Sequence, residues 1–166
     1  MTPNDDKPRM QLPPAVKDRL GFLMAKSHLS FLRQAEAKIN TPGITGRHYG
    51  CLTLIADEGP MTQQRLGERM GVDRTTVVSI VDALERQGFV ERRRNPDDRR
   101  AYALQVTAKG AQWQERVTEL VLETEAEFLA PLSADERKQL VEMLQRVLMS
   151  QPAELLTYPP VEVRPG

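Results

Sequence analysis

Apolar residues recur at the three-and-four spacing of helices along most of this chain, and at a spacing of two in one short stretch. From Pro14 to about Ile39, the positions Val16, Leu20, Leu23, Phe31, Leu32 and Ala35 predict a long helix, which Thr41-Pro42-Gly43 breaks. Residues 45–57 form the next helix, with Tyr49, Leu52, Leu54 and Ile55 mostly inward, and Gly59-Pro60 ends it. Thr62 caps a short helix, Gln63 to Met70, whose Leu66 and Met70 lie one turn apart before Gly71. Asp73 caps a helix running to about Gln87, with Val77, Ile80, Val81 and Leu84 on one stripe and Gly88 as its stop. Phe89 to Arg94 reads as a strand. Tyr102, Leu104 and Val106 alternate with Ala101, Ala103 and Gln105 as its partner, across a turn at Asn95-Pro96-Asp97-Asp98. Thr107 then caps a long helix to about Leu129. After Pro131, the capping-box pattern Ser133-Ala134-Asp135-Glu136 opens a last helix bearing Leu140, Val141, Leu144, Val147 and Leu148.

Helix, tight turn, helix and hairpin in this order describe a winged helix-turn-helix, which sets one helix in a DNA major groove and the hairpin beside it. The expected fold is mainly α (α+β): a winged helix-turn-helix with a two-stranded wing, plus N- and C-terminal dimerisation helices. On the second helix of the motif, Thr75, Ser79, Asp82 and Arg86 oppose the core stripe, while Arg74, Thr76 and Val78 flank them. Small hydroxyls permit close approach to the groove floor, Arg74 has the reach for a guanine edge or a phosphate, and Val78 suits a thymine methyl. Arg92, Arg93, Arg94, Arg99 and Arg100 crowd the hairpin. An arginine run is ordinarily a solvated face. Directly after a candidate reading helix, phosphate and minor-groove contact is the better reading. One of Asp97 and Asp98 is expected to pin a neighbouring arginine.

The wing residues resemble those of the MarR (multiple antibiotic resistance regulator) family. Its signature is Asp-x-Arg, five residues, an aliphatic residue and Thr, then a nearby Gly. The chain has Asp98-Arg99-Arg100, Ala101 to Gln105, Val106-Thr107 and Gly110, with Val where Leu is usual. Val81 to Val90 is also similar to the family's end of the reading helix. The resemblance implies a homodimer built from the first, fifth and sixth helices, bound to a pseudo-palindromic operator, with Asp98 supporting the wing. It implies repression as the common mode. It also implies that a small aromatic or anionic effector sits where the dimer helices meet the reading module. Candidate lining residues are His28, Phe31, Arg47, His48 and Cys51, with Arg47 or a histidine suited to pair a carboxylate.

Composition sharpens this picture. Formal net charge is zero over 166 residues, which at first argues against DNA. Residues 60–110, however, carry ten Lys/Arg against seven Asp/Glu, and residues 111–166 carry five against ten, so a basic reading module adjoins an acidic helical tail. A single cysteine excludes an intramolecular disulfide framework. With no signal-peptide pattern and no apolar run of about 20 residues, a soluble cytoplasmic protein is expected, with no membrane partner. No phosphate loop, Gly-x-Ser-x-Gly or metal-ligand array marks an enzyme, and no cofactor is implied.

The expected organisation is a flexible N-terminus at 1–12, a helical dimerisation region at 13–40 and 111–150, a DNA-binding winged helix-turn-helix at 41–110, and a Pro-rich tail at 151–166. The terminal helices cannot all bury their stripes on one small module, and a twofold partner is the simplest remedy. Partners are thus double-stranded DNA, a second copy and a small-molecule effector. Other readings compete. Cys51 is a candidate redox sensor, and His48-x-x-Cys51 with His28 a candidate metal site; both would make a differently triggered regulator of the same fold. A winged-helix protein-interaction module is the rival from another class.

Overall fold

The computed structural model describes residues 11–94 and 102–152. In chain order the elements are α1 (Leu20–Ile39), α2 (Gly46–Glu58), α3 (Gln63–Met70), α4 (Arg74–Arg86), β1 (Val90–Arg94), β2 (Tyr102–Val106), α5 (Ala108–Phe128) and α6 (Ala134–Met149). The predicted caps hold α3, α4 and α5 at their first turns. Thr62 accepts the Arg65 amide, Asp73 the Thr76 amide and Thr107 the Gly110 amide. Each side chain satisfies a donor that the first helical turn leaves without a partner. Gly71 closes α3 in the left-handed region at φ 61°, where a side chain would be strained.

The strands pair antiparallel, with Val90 opposite Val106, Arg92 opposite Leu104 and Arg94 opposite Tyr102. Met61 extends this sheet by a bridge to Leu104, so the wing's base is anchored before α3 begins. Leu52, Ile55, Leu66, Val81, Leu84, Leu104 and Val117 are fully buried, and they knit α2, α3, α4, the wing base and α5 into one core. Trp113 of α5 stacks on Phe89 at 4.8 Å and donates its ring N–H to Thr41 Oγ1 at 3.1 Å.

Two expectations are corrected. The first helix starts at Leu20 rather than Pro14, because residues 14–18 form a separate turn and Arg19 is extended. Tyr102 does not join the core side of its strand with Leu104; it is exposed, while Ala103 is buried. Beyond the core the helices are poorly covered. Only Ala35 and Ile39 are buried on α1, and no residue of α6 is buried. Leu20, Met24 and Leu29 on α1, Leu122 on α5, and Val141, Leu144, Val147 and Leu148 on α6 all face outward. Among the described residues no helix is long and apolar enough to cross a membrane.

Candidate nucleic-acid interface

The short α3 leads through Gly71 and Val72 into α4, and the core stripe of α4 fixes which side it presents. Val77, Ile80, Val81 and Leu84 are buried, which leaves Arg74, Thr75, Val78, Ser79, Asp82 and Arg86 outward. The outward side is shallow and mixed in chemistry, with hydroxyls, one aliphatic group and cations at both ends. Thr76 is half-buried. Its hydroxyl donates to Asp73 Oδ2 at 2.5 Å while its amide donates to Asp73 Oδ1 at 3.0 Å. These two bonds hold the Asp73 carboxyl below the usual carboxylate range. Thr76 therefore helps to fasten the start of α4, whereas the Thr75 and Ser79 hydroxyls lie in the open.

The wing is tied to this helix by one of its own arginines. Arg92 donates to Asp82 Oδ1 at 2.7 Å and to Glu85, both on α4. One of the five wing guanidiniums is thus spent inside the protein, where it neutralises two carboxylates of the reading helix. Arg93 pairs with Glu91 at 2.7 Å on the opposite face of the hairpin, yet both it and Arg94 are exposed. Among the described residues Arg94 has no carboxylate partner. Asp98, Arg99 and Arg100 lie outside the described residues.

A second feature adjoins the interface. A cleft of about 750 Å³ opens between α1, the start of α2 and α4, with Leu32, Arg47, His48, Thr75, Ser79 and Ile80 among its walls. Of the five residues expected to line an effector site, Arg47 and His48 meet here. The other three do not. His28 is exposed on α1, Phe31 packs edge-on against Phe128 at 5.9 Å, and Cys51 is buried in the core. Sequence periodicity placed Glu36 and Leu32 on α1 but gave no sign that they would share a cleft with the start of α4.

His48 Nδ1 accepts the Thr45 amide at 3.1 Å, so that nitrogen carries no proton. Burial, and to a smaller degree the nearby Arg86, lowers the His48 pKa below its usual value. Burial also pushes the Cys51 thiol up to about 12, which leaves almost no thiolate at neutral pH. Among the described residues no three histidine, cysteine or carboxylate side chains converge as a metal centre needs.

Comparisons with known proteins agree with this geometry. Residues 44–102 match the MarR family. A candidate transcriptional regulatory protein for the hcr operon of Thauera aromatica is 36% identical over 134 residues, covering 80% of this chain and 81% of that protein. A cysteine-to-serine mutant of MarR from E. coli, solved in complex with operator DNA, has a TM-score of 0.70 and 28% identity, over 78% of this chain and 93% of its own. The PcaV transcriptional regulator from Streptomyces coelicolor, solved with its natural ligand, has a TM-score of 0.69 and 25% identity, over 86% of this chain and 99% of its own. Six helices around a two-stranded wing among the described residues, joined to this degree of identity, establish that the chain belongs to the MarR family of DNA-binding transcriptional regulators.

Proposed function

We propose that this protein is a homodimeric repressor that binds a pseudo-palindromic operator and is released by a small aromatic or anionic ligand. The observation that carries the reading is the face left open by α1, the end of α5 and α6. Its apolar side chains are spread over helices that bury almost nothing within one chain. A second copy buries them and brings two α4 helices to one side of the dimer. Reading of half-sites about 10 bp apart then follows from the twofold axis. Arg74, Thr75, Val78 and Ser79 serve as the base-proximal set, Thr76 fastens the helix start, and Arg93, Arg94, Arg99 and Arg100 serve the backbone and minor groove. In this organisation residues 13–40 and 111–150 dimerise and 41–110 read DNA.

Release is assigned to the cleft between α1, α2 and α4. Thr75 and Ser79 belong both to its wall and to the outward side of the reading helix. A ligand there shifts the α4–α4 spacing when it prefers a spacing that does not fit DNA. Arg47 and His48 favour a carboxylate-bearing ligand over a cation. Similarity to a neighbour solved with operator DNA and to another solved with its natural ligand supports both halves of the reading. The test is a competition experiment. An operator fragment selected from genomic DNA is bound, and a panel of aromatic carboxylates is titrated in. At least one should release the DNA from the wild type, and Arg47→Ala should need at least tenfold more of it. Release that ignores the Arg47 substitution contradicts the assignment.

A further inference from the structure

We propose that Tyr102 is a DNA-backbone contact of the wing, its phenol hydroxyl donating to a phosphate oxygen beside Arg94. The proposal rests on the reading that the wing meets DNA, and it adds a residue that no arginine count reveals. Tyr102 is 55% exposed, although it stands at a strand position whose neighbour Leu104 is fully buried. The core therefore does not need its ring. Directly opposite partners in an antiparallel pair share a face, so the register puts Tyr102 and Arg94 side by side. Two residues further from the tip, the same face carries Arg92 and Leu104.

Arg92 fixes where that face looks. Its guanidinium is held by Asp82 and Glu85, so this side of the hairpin lies against the reading helix. Tyr102 and Arg94 are the outermost described pair on that side, immediately before the arginine-rich turn of the sequence. The opposite face carries the Arg93–Glu91 ion pair and the buried Ala103. A tyrosine here offers a flat apolar ring and a single strong donor. Tyrosine hydroxyls are among the groups that bind phosphate oxygens and fix register without reading sequence. Because the phenol is uncharged, its contact displaces no counterion.

The experiment is fluorescence anisotropy over a salt series, on an operator fragment selected from random-sequence DNA and on an unrelated duplex of equal length. The proteins are wild type, Tyr102→Phe, Tyr102→Ala and Arg94→Ala. Tyr102→Phe should bind both duplexes about tenfold more weakly, the worth of one hydrogen bond to a charged group, with the salt slope unchanged. The phenylalanine keeps the ring, and the hydroxyl has no partner among the described residues, so folding is not at stake. Wild-type binding by Tyr102→Phe overturns the proposal. So does a loss seen for Tyr102→Ala but not Tyr102→Phe, or one confined to the operator. Arg94→Ala separates the two failures. If it weakens binding and lowers the slope by up to ~1 while Tyr102→Phe is silent, only Tyr102 is misassigned. If Arg94→Ala is silent as well, the wing does not meet DNA.

Discussion

Gly110 lies so close to the wing's base that an added methyl carbon would sit 2.0 Å from the Phe89 carbonyl oxygen. Nearby, Thr107 Oγ1 donates to the Gly88 carbonyl at 2.7 Å and its amide to Phe89 at 3.0 Å. The Thr107 and Gly110 of the family signature thus have a mechanical meaning: they dock the first turn of α5 on the chain entering β1. Gly110→Ala should destabilise the fold by about 1–3 kcal/mol through overpacking against backbone. Urea unfolding checks it, and an unchanged midpoint would refute the close docking. His48 makes a pH prediction. Its lowered pKa means that the unfolded chain binds a proton more readily than the native one. The stability it contributes is full above the ordinary value of 6.5 and is lost as pH falls through the folded value. The carboxylates with lowered values, Glu58, Asp73 and Glu136, act only further down, below their ordinary 4.5 and 3.8. Unfolding midpoints should therefore fall between pH 7.5 and 5.5 in the wild type. The fall should be smaller in His48→Gln, which keeps an acceptor for the Thr45 amide. Equal falls would show that His48 is not the group responsible.

At the level of elements, the caps were legible because their physics is local. Thr62, Asp73, Thr107 and Ser133 each answer to amides within three residues, so composition and order suffice. The misreadings were not local. Tyr102 fits period-two alternation, but a five-residue strand at the edge of the core runs out of neighbours before it runs out of pattern. Val16 fits helical spacing, but the turn after Pro13 ends before α1 begins. The Arg92 brace joins residues ten and seven apart across a chain reversal, and no spacing rule announces it. That brace sets the wing against α4. Arg92→Met, which keeps the apolar stem, should leave Asp82 and Glu85 uncompensated beside the DNA. Operator affinity should drop with the salt slope unchanged, if the guanidinium held by Asp82 and Glu85 contacts no phosphate. A double-mutant cycle with Asp82→Asn should return a coupling of about 0.2–1 kcal/mol, as expected for a partly exposed pair. A slope that falls by about one would instead make Arg92 a phosphate ligand.

For the whole molecule, the reading module was the legible part, because its turns, caps and arginines are written in consecutive residues. The cleft proposed for the effector was only half legible. Arg47 and His48 belong to it, but α1 supplies Leu32 and Glu36 rather than His28 and Phe31, since which turn of α1 faces the start of α4 across the cleft is a tertiary fact. The outward apolar face of α1, α5 and α6 joins the two. In the proposed dimer it is what would turn a modestly basic module into a two-site reader. The most direct measurement of this account is the stoichiometry and affinity of wild type and Leu144→Asp on full-site and half-site duplexes, followed by sedimentation. Leu144 is exposed within one chain, so the variant should keep its fold. The account predicts two wild-type chains per full site, much weaker binding to the half-site, and a monomeric Leu144→Asp that binds both duplexes equally weakly. A wild-type monomer that binds half-site and full site alike would contradict it.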